Sequence, residues 1–218
     1  MEWMIDTANL NAIKEAADML PLAGITTNPT ILKAELPFDY ETQLKAIREL
    51  TPGLTMHVQL GSESCEGMLD EAAYLQKLLG QDIYVKVPTT EAGVKAMKRL
   101  KDRGVNVTAT AIYYPLQAML AVSAGADYLA PYCNRMEQND IDFGKAIEQI
   151  RDMIDLGGYE AKILGASFKN AGQVVRAIDS GAHAVTVQPA MLRSVLKSAL
   201  VTDAVAAFTK DYALVTGK

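Results

Sequence analysis

Short apolar runs rich in β-branched residues alternate along this chain with longer segments in which apolar residues recur every three or four positions. The short runs are typical of strands, and the longer segments are typical of amphipathic helices. Glycine ends several helical segments just before the next strand, as in KLLG before QDIYVKV, which fits a helix C-cap and a short loop. The pattern predicts eight strands, at residues 3–6, 24–27, 54–60, 83–87, 105–110, 128–131, 162–166 and 184–187.

Strands that are apolar on both faces and joined by helices indicate a parallel sheet. Eight such units in 218 residues fit one α/β domain, a (β/α)8 TIM barrel over residues 1–218. The alternative is an open, doubly wound sheet, but the sequence has neither a GxGxxG after the first strand nor a GxxxxGK[ST]. A further helical segment at residues 201–215 has no place in the ring, so we expect it to pack across a barrel end or onto a neighbouring subunit.

The composition narrows the class of protein. The 21 Lys and Arg stand against 26 Asp and Glu, a formal charge of −5, and the chain has no long basic stretch, which argues against nucleic-acid and membrane partners. Two distant cysteines argue against a disulfide framework or a zinc site and favour a reducing compartment, so we expect a cytoplasmic protein without a bound metal. The first residues lack the pattern of a signal peptide, and no apolar run approaches the roughly 20 residues of a membrane span.

Polar side chains lie at the predicted C-terminal ends of the strands, where (β/α)8 enzymes place their catalytic groups. The candidates are Asp6, Thr26, Asn28, Gln59, Lys86, Thr110, Tyr132, Arg135 and Ser167. Lys86 interrupts the apolar strand IYVKVP, so it faces either the barrel interior or the surrounding helices. Burial lowers the pKa of a lysine and makes a free amine available as a nucleophile, but a buried ion pair, for instance with Asp6, fits the same pattern.

Several other candidates also have structural interpretations. Asp6 fits the cap of the helix that follows it, and Thr110 fits a strand-end hydroxyl bonded to the backbone. The segment TTNPT, with Thr26 and Asn28, fits a turn and a helix start. A glutamine at position 59 and a tyrosine at position 132, each after an apolar strand, need a buried partner or a ligand.

Arg135 and Ser167 together suggest an anion site, because arginine binds phosphate in a fork and the loop after the seventh strand often binds phosphate in these barrels. The alternative is a surface salt bridge from Arg135 to Glu137 or Asp140. Structural or packing roles are expected of His57, His183, Cys65 and Cys133.

Six segments in register make the pattern more specific: IDTAN, GITTNPT, VKVP, TATAIY, APYCNR and GASFK, on strands one, two, four, five, six and seven. In this arrangement nearly the whole chain resembles the transaldolase-like enzymes that include the fructose-6-phosphate aldolases. The resemblance implies a (β/α)8 barrel and a class I aldol reaction without metal or cofactor. It identifies Lys86, on strand four, as the Schiff-base lysine.

The same resemblance implies roles for the other candidates. Asp6 would assist proton transfer and hold a substrate hydroxyl, while Gln59, Thr110 and Tyr132 would position the water that acts as acid and base. In this family, transaldolases typically carry glutamate and phenylalanine where this chain has Gln59 and Tyr132, whereas the aldolases carry glutamine and tyrosine. The resemblance therefore favours a fructose-6-phosphate aldolase, with a transaldolase of the pentose phosphate pathway as the alternative.

For substrate binding, the resemblance implies that Asn28 and Ser167, with Thr26 beside them, hold the dihydroxyacetone portion. Arg135 and Ser167 would hold the phosphate of the aldehyde portion. The relatives form rings of five subunits, often paired into ten, so a homo-oligomer is expected. A non-catalytic barrel that only binds sugar phosphates remains the alternative outside the enzyme class.

Overall fold

The computed structural model describes residues 1–217, and within this range eight parallel strands close into a barrel in chain order. The strands are β1 (Glu2–Asp6), β2 (Gly24–Thr26), β3 (Thr55–Gln59), β4 (Tyr84–Pro88), β5 (Asn106–Ile112), β6 (Tyr128–Pro131), β7 (Lys162–Gly165) and β8 (Ala184–Val187). Every strand lies within two residues of its predicted position. The predicted strand set is therefore confirmed.

The ring closes between the first and last strands. Ile5 of β1 lies opposite Ile25 of β2 on one side and Val187 of β8 on the other, and both pairings are parallel. Because the two end strands pair with each other, the sheet is a closed barrel, and the open doubly wound alternative is wrong. All eight carboxyl ends therefore point to the same end of the molecule.

Helices follow the strands and form the outer layer. They are α1 (Leu10–Met19), α2 (Pro29–Lys33), α3 (Tyr40–Leu50), α4 (Cys65–Leu79), α5 (Glu91–Lys101), α6 (Pro115–Ser123), α7 (Cys133–Glu137), α8 (Phe143–Gly157), α9 (Ala171–Asp179), α10 (Pro189–Leu196) and α11 (Ala199–Thr216). Polar side chains begin many of them: Asn9, Ser64 and Thr90 each accept a hydrogen bond from a backbone N–H in the first turn. Asn9, and not Asp6, caps α1, which leaves the Asp6 carboxylate free for other contacts.

Aromatic and polar side chains fill the amino-terminal half of the barrel interior. The imidazole of His57 is fully buried and stacks on Tyr84 with ring centroids 4.7 Å apart, while Tyr128 meets it edge-on at 5.1 Å. Its two ring nitrogens lie 2.8 Å from the hydroxyl of Thr108 and 3.1 Å from that of Thr55. His57 is thus a satisfied structural residue, as the sequence predicted, and it packs below the carboxyl ends of the strands.

The last helix lies apart from the barrel. Every residue of α11 is exposed in the described chain, including Val201, Val205, Phe208 and Tyr212. Packing of this helix across a barrel end, one of the two placements expected from the sequence, is not seen, and contact with a neighbouring subunit stays a prediction. None of the helices within residues 1–217 is long and apolar enough to cross a membrane.

Candidate active site

A cavity of about 490 Å³ opens at the carboxyl ends of the strands. Seven of the nine candidate residues line it: Asp6, Asn28, Gln59, Lys86, Tyr132, Arg135 and Ser167. The remaining two, Thr26 and Thr110, are buried beside it and bond to lining residues. The structure therefore brings all nine side chains together in one site.

Lys86 lies at the inner end of this cavity. Because side chains alternate along β4, Val85 and Val87 face the helices and are fully buried, while Lys86 points into the barrel and is only 6 % exposed. Its ammonium donates a 2.8 Å hydrogen bond to the carbonyl oxygen of Thr27. Burial lowers the pKa of Lys86, and the negative charge of Asp6 offsets part of that effect.

The Asp6 carboxylate, at the end of β1, is held by threonine hydroxyls. Thr26 donates a 2.6 Å hydrogen bond to it, and the Thr26 hydroxyl lies 2.7 Å from that of Thr186. Burial raises the pKa of Asp6, against the opposing effects of the Lys86 charge and the Thr26 hydrogen bond. Asp6 and Lys86 form no direct ion pair within the described residues, so both remain available to a ligand.

Tyr132 directly precedes α7 and lines the cavity. Thr110 donates a 2.9 Å hydrogen bond to the phenol oxygen, so this hydroxyl serves Tyr132 instead of the backbone partner expected from the sequence. Because the oxygen accepts from Thr110, the phenol's own proton is free for a ligand or water. Burial raises the pKa of Tyr132, while the Thr110 hydrogen bond and the positive Arg135 lower it in part.

Gln59 is a further candidate residue near Lys86. It lies at the end of β3, directly opposite Lys86 of β4 in the strand register. Its Oε1 atom is buried and has no hydrogen-bond partner within residues 1–217, although buried amide oxygens are nearly always satisfied. The atom is therefore placed to accept a hydrogen bond from a ligand or a bound water in the cavity.

Two lining residues have strained backbones. Ala111 and Ser167 adopt φ values of 58° and 62°, in the left-handed region that non-glycine residues rarely occupy. Ala111 coincides with a register shift in β5, and Ser167 follows β7 directly beyond the bridge between Tyr132 and Ala166. Strain of this kind clusters at functional sites, which supports the assignment of this cavity as the site.

Arg135 lies at the exposed rim of the cavity. Its Nη1 is 3.4 Å from the Tyr113 hydroxyl, and its guanidinium lies 5.1 Å from the centre of the Tyr132 ring. In the described part of the chain it forms no ion pair with Glu137 or Asp140, and Glu137 pairs with Arg176 instead. The surface salt bridge considered from the sequence is thus absent there, and the Arg135 donors face an open cavity.

Four polar side chains outside the candidate set also line the cavity: Thr30, Lys169, Thr186 and Gln188. Lys169, Thr186 and Gln188 occupy strand ends or the residues just beyond them, so the strand-end rule points to them too, whereas Thr30 lies in α2. Lys169 matters most, because it adds a second positive charge to the side of the cavity that holds Arg135 and Ser167. Such a pair of cations suits an anionic substrate group.

Other reactive side chains lie away from this chemistry. Cys65 and Cys133 are buried free thiols, and burial raises the pKa of Cys133 to about 12, so its thiolate is scarce at neutral pH. His57 is held neutral, since burial lowers its pKa to about 3. Within residues 1–217 no group of three His, Cys, Asp or Glu side chains could hold a metal ion.

Comparisons with known proteins agree with this geometry. A profile of the family described as "Transaldolase/Fructose-6-phosphate aldolase" matches residues 3–216. A probable fructose-6-phosphate aldolase of Streptococcus pneumoniae is 46% identical over 215 residues, covering 97% of this chain and 96% of that protein. Probable transaldolases of Symbiobacterium thermophilum and Clostridioides difficile are 34% and 35% identical, and the matches cover 100% and 97% of both chains in each pair. The chain therefore belongs to the transaldolase/fructose-6-phosphate aldolase family, as its sequence motifs predicted.

Proposed function

We propose that this protein is a metal-independent class I aldolase that converts fructose 6-phosphate into dihydroxyacetone and glyceraldehyde 3-phosphate, and forms it from them. The observation that carries the proposal is the Lys86 amine, buried with a lowered pKa at the inner end of a cavity lined by polar groups. A lysine in this state is a nucleophile toward carbonyl carbon. The 46% identical relative named a probable fructose-6-phosphate aldolase supports the same reaction.

The first half of the reaction forms the covalent bond. The neutral Lys86 amine adds to the C2 carbonyl of the ketose, and loss of the C2 oxygen as water gives an iminium ion. Asp6 exchanges protons with the oxygen that leaves, a role suited to a carboxyl whose pKa burial raises. The iminium cation then serves as the electron sink for the bond that breaks next.

The second half cleaves the carbon–carbon bond. A water held by Gln59, Thr110 and Tyr132 takes the proton of the C4 hydroxyl, the C3–C4 electron pair moves into the iminium, and the aldehyde departs. An enamine of dihydroxyacetone remains on Lys86. The Tyr132 phenol gives its proton to C3 through the same water and regains the proton that the water took from the C4 hydroxyl. Hydrolysis then releases dihydroxyacetone and the free amine.

The polar lining also supports a proposal for how the substrate is held. Asn28 and Ser167, with Thr26 beneath them, hold the hydroxyls of the dihydroxyacetone portion deep in the cavity. Arg135 and Ser167 hold the phosphate nearer the rim, where Lys169 adds a second positive charge. The two buried free thiols, Cys65 and Cys133, fit a reducing cytoplasmic location.

A transaldolase is the second candidate function, and it has specific support. Relatives 34% and 35% identical to this chain are named probable transaldolases. Both activities share the lysine enamine and differ in whether a proton or a second aldose captures it. Gln59 and Tyr132 favour protonation, because a phenol supplies a proton and anchors water, which phenylalanine cannot do.

The lysine chemistry is tested by covalent trapping. Borohydride reduction in the presence of dihydroxyacetone should add a dihydroxyacetone-derived mass to the peptide that contains Lys86. Lys86→Met should retain the fold, form no adduct and lose at least about a thousandfold in turnover. The exposed Lys95 provides the matched control, since Lys95→Met should form the adduct normally.

Intact-mass and peptide analysis read the result. An adduct on another lysine would contradict the assignment of Lys86. Folded wild-type protein that forms no adduct with dihydroxyacetone or fructose 6-phosphate would favour the non-catalytic binding barrel.

Tyr132→Phe tests the choice between the two activities. Without the phenol proton, protonation of the enamine should be slower, so an added aldose should capture the enamine more often. We expect the ratio of transfer to cleavage to rise about tenfold or more, measured with and without an acceptor aldose. A ratio equal to that of the wild type would remove Tyr132 from the proton-transfer step.

The charge of Asp6 should control the pH at which Lys86 becomes nucleophilic. Burial lowers the pKa of Lys86 and the Asp6 charge partly restores it, so Asp6→Asn should lower that pKa further. The initial rate of reductive trapping with dihydroxyacetone is measured against pH, and its acid limb is the range in which the rate falls because Lys86 is protonated. This acid limb should therefore lie at lower pH in the variant. Asp18→Asn, on the exposed face of α1, should leave the limb in place. An acid limb at the wild-type pH or at higher pH in Asp6→Asn would contradict the electrostatic coupling between Asp6 and Lys86.

We also propose that α11 docks on a neighbouring subunit of a homo-oligomer, a ring of five or a pair of such rings. The helix exposes a stripe of large apolar side chains, among them Val205, Phe208, which is 71 % exposed, and Tyr212. Exposed apolar surface of this extent marks an interaction site.

Replacing Phe208 and Tyr212 by glutamate together should lower the mass measured by light scattering to that of a smaller assembly, since charges cannot be buried in an apolar contact. Lys210→Glu, on the same helix, should preserve the wild-type mass. A monomeric wild-type protein, or an unchanged mass in the double variant, would contradict the docking role of α11.

A further inference from the structure

We propose that Tyr113 is a positioning residue that makes the cavity selective for a phosphorylated aldehyde, by holding Arg135 in its phosphate-binding position. The inference rests on the proposed function for the identity of the substrate. It concerns a residue outside the candidate set, just beyond β5, that does not line the cavity itself.

Tyr113, Arg135 and Tyr132 form a closed triangle at the cavity rim. The Tyr113 hydroxyl lies 3.4 Å from Nη1 of Arg135. The Arg135 guanidinium lies 5.1 Å from the centre of the Tyr132 ring, and the rings of Tyr113 and Tyr132 meet edge to face with their centroids 5.9 Å apart. Each side chain thus contacts the other two, which restricts the rotamers open to the long arginine side chain.

The backbone of Tyr113 is itself fixed. The side-chain oxygen of Gln117 accepts hydrogen bonds from the backbone N–H groups of Tyr113 and Tyr114, at 2.8 and 3.0 Å. The strained Ala111 and the register shift of β5 immediately precede this turn. Tyr113 is therefore a firm support for Arg135, although it lies in a connection between a strand and a helix.

The chemistry of a tyrosine suits this support better than a carboxylate would. A carboxylate at the same place would pair with the guanidinium, neutralise its charge and compete with the incoming phosphate. The neutral phenol occupies one N–H of Arg135 and leaves the charge and the remaining N–H donors to the phosphate oxygens. Tyr113 thus reduces the conformational freedom that Arg135 loses on binding without reducing its attraction for an anion.

A role of this kind affects only substrates that carry the anion. Arg135 has no charged group to bind on an unphosphorylated aldehyde, so the orientation of its guanidinium does not affect that substrate. Loss of the Tyr113 hydroxyl should therefore raise the KM for the phosphorylated substrate and spare the kcat of the lysine chemistry. A purely structural role for Tyr113 would change both substrates alike.

The test compares Tyr113→Phe with Tyr114→Phe, a matched control because Tyr114 is the adjacent residue and is 58 % exposed. Aldol synthesis from dihydroxyacetone is measured with glyceraldehyde 3-phosphate and with glyceraldehyde. In Tyr113→Phe, KM for glyceraldehyde 3-phosphate should rise about fivefold, while kcat and the KM for glyceraldehyde stay at wild-type values. Tyr114→Phe should match the wild type with both aldehydes. An equal rise with both aldehydes, or no rise with either, would overturn the proposal.

A binding measurement separates this inference from the proposed function. If the wild-type protein makes no ketose, the proposed function is wrong, and calorimetric titration with inorganic phosphate tests Tyr113 alone. Phosphate binding that is about fivefold weaker in Tyr113→Phe than in the wild type and in Tyr114→Phe supports the positioning role. Equal binding by all three proteins overturns it.

Discussion

Burial of one amine inside the barrel is the constraint on which the rest of the site depends. Lys86 has almost no contact with solvent, and an ammonium in such surroundings is costly unless neighbouring groups satisfy it or it loses its proton. Within the described residues, Lys86 has one carbonyl partner, from Thr27, and one nearby carboxyl, Asp6, with which it forms no direct ion pair. This arrangement supports the ammonium only in part, so a neutral and reactive amine becomes accessible.

Neutral hydroxyl groups fix the orientation of the acidic side chains around Lys86. Thr26 holds Asp6, and Thr110 holds the phenol of Tyr132. Neutral partners fix the orientation of an acid or a base and lower its pKa only in part, so burial remains the largest influence on the pKa values of Asp6 and Tyr132. The oxygen of Gln59 is the exception, because it has no hydrogen-bond partner within residues 1–217 and is therefore available to a water or a substrate hydroxyl.

The sequence predicted the barrel well because its evidence is local and repeated. Strand spacing, alternating helices and glycine C-caps recur around the ring, so an error in one unit does not change the fold. It also predicted which residues meet, because parallel strands bring their carboxyl ends to one face.

The sequence left open which way Lys86 faced, since alternation defines two faces of a strand but does not say which one lies inside the barrel. The Tyr113–Arg135 contact was equally out of reach, because it depends on a register shift in β5 and on the backbone of Ala111. The position of α11 was the least accessible, since an apolar stripe does not say which surface covers it.

The packing of His57 between Tyr84 and Tyr128 has a consequence for the order of events. These rings fill the barrel interior beneath the cavity, in which Lys86 lies at the buried inner end and Arg135 at the exposed rim. In the proposed reaction, a ketose would therefore enter with its dihydroxyacetone end leading, and the aldehyde half would leave before the half bound to Lys86. After the aldehyde half has left and before the second half is released, the outer part of the cavity would be open to water or to another sugar. In this mechanism, access through the cavity opening, as much as the intrinsic reactivity of the enamine, would determine whether the enamine reacts with water or with a second sugar.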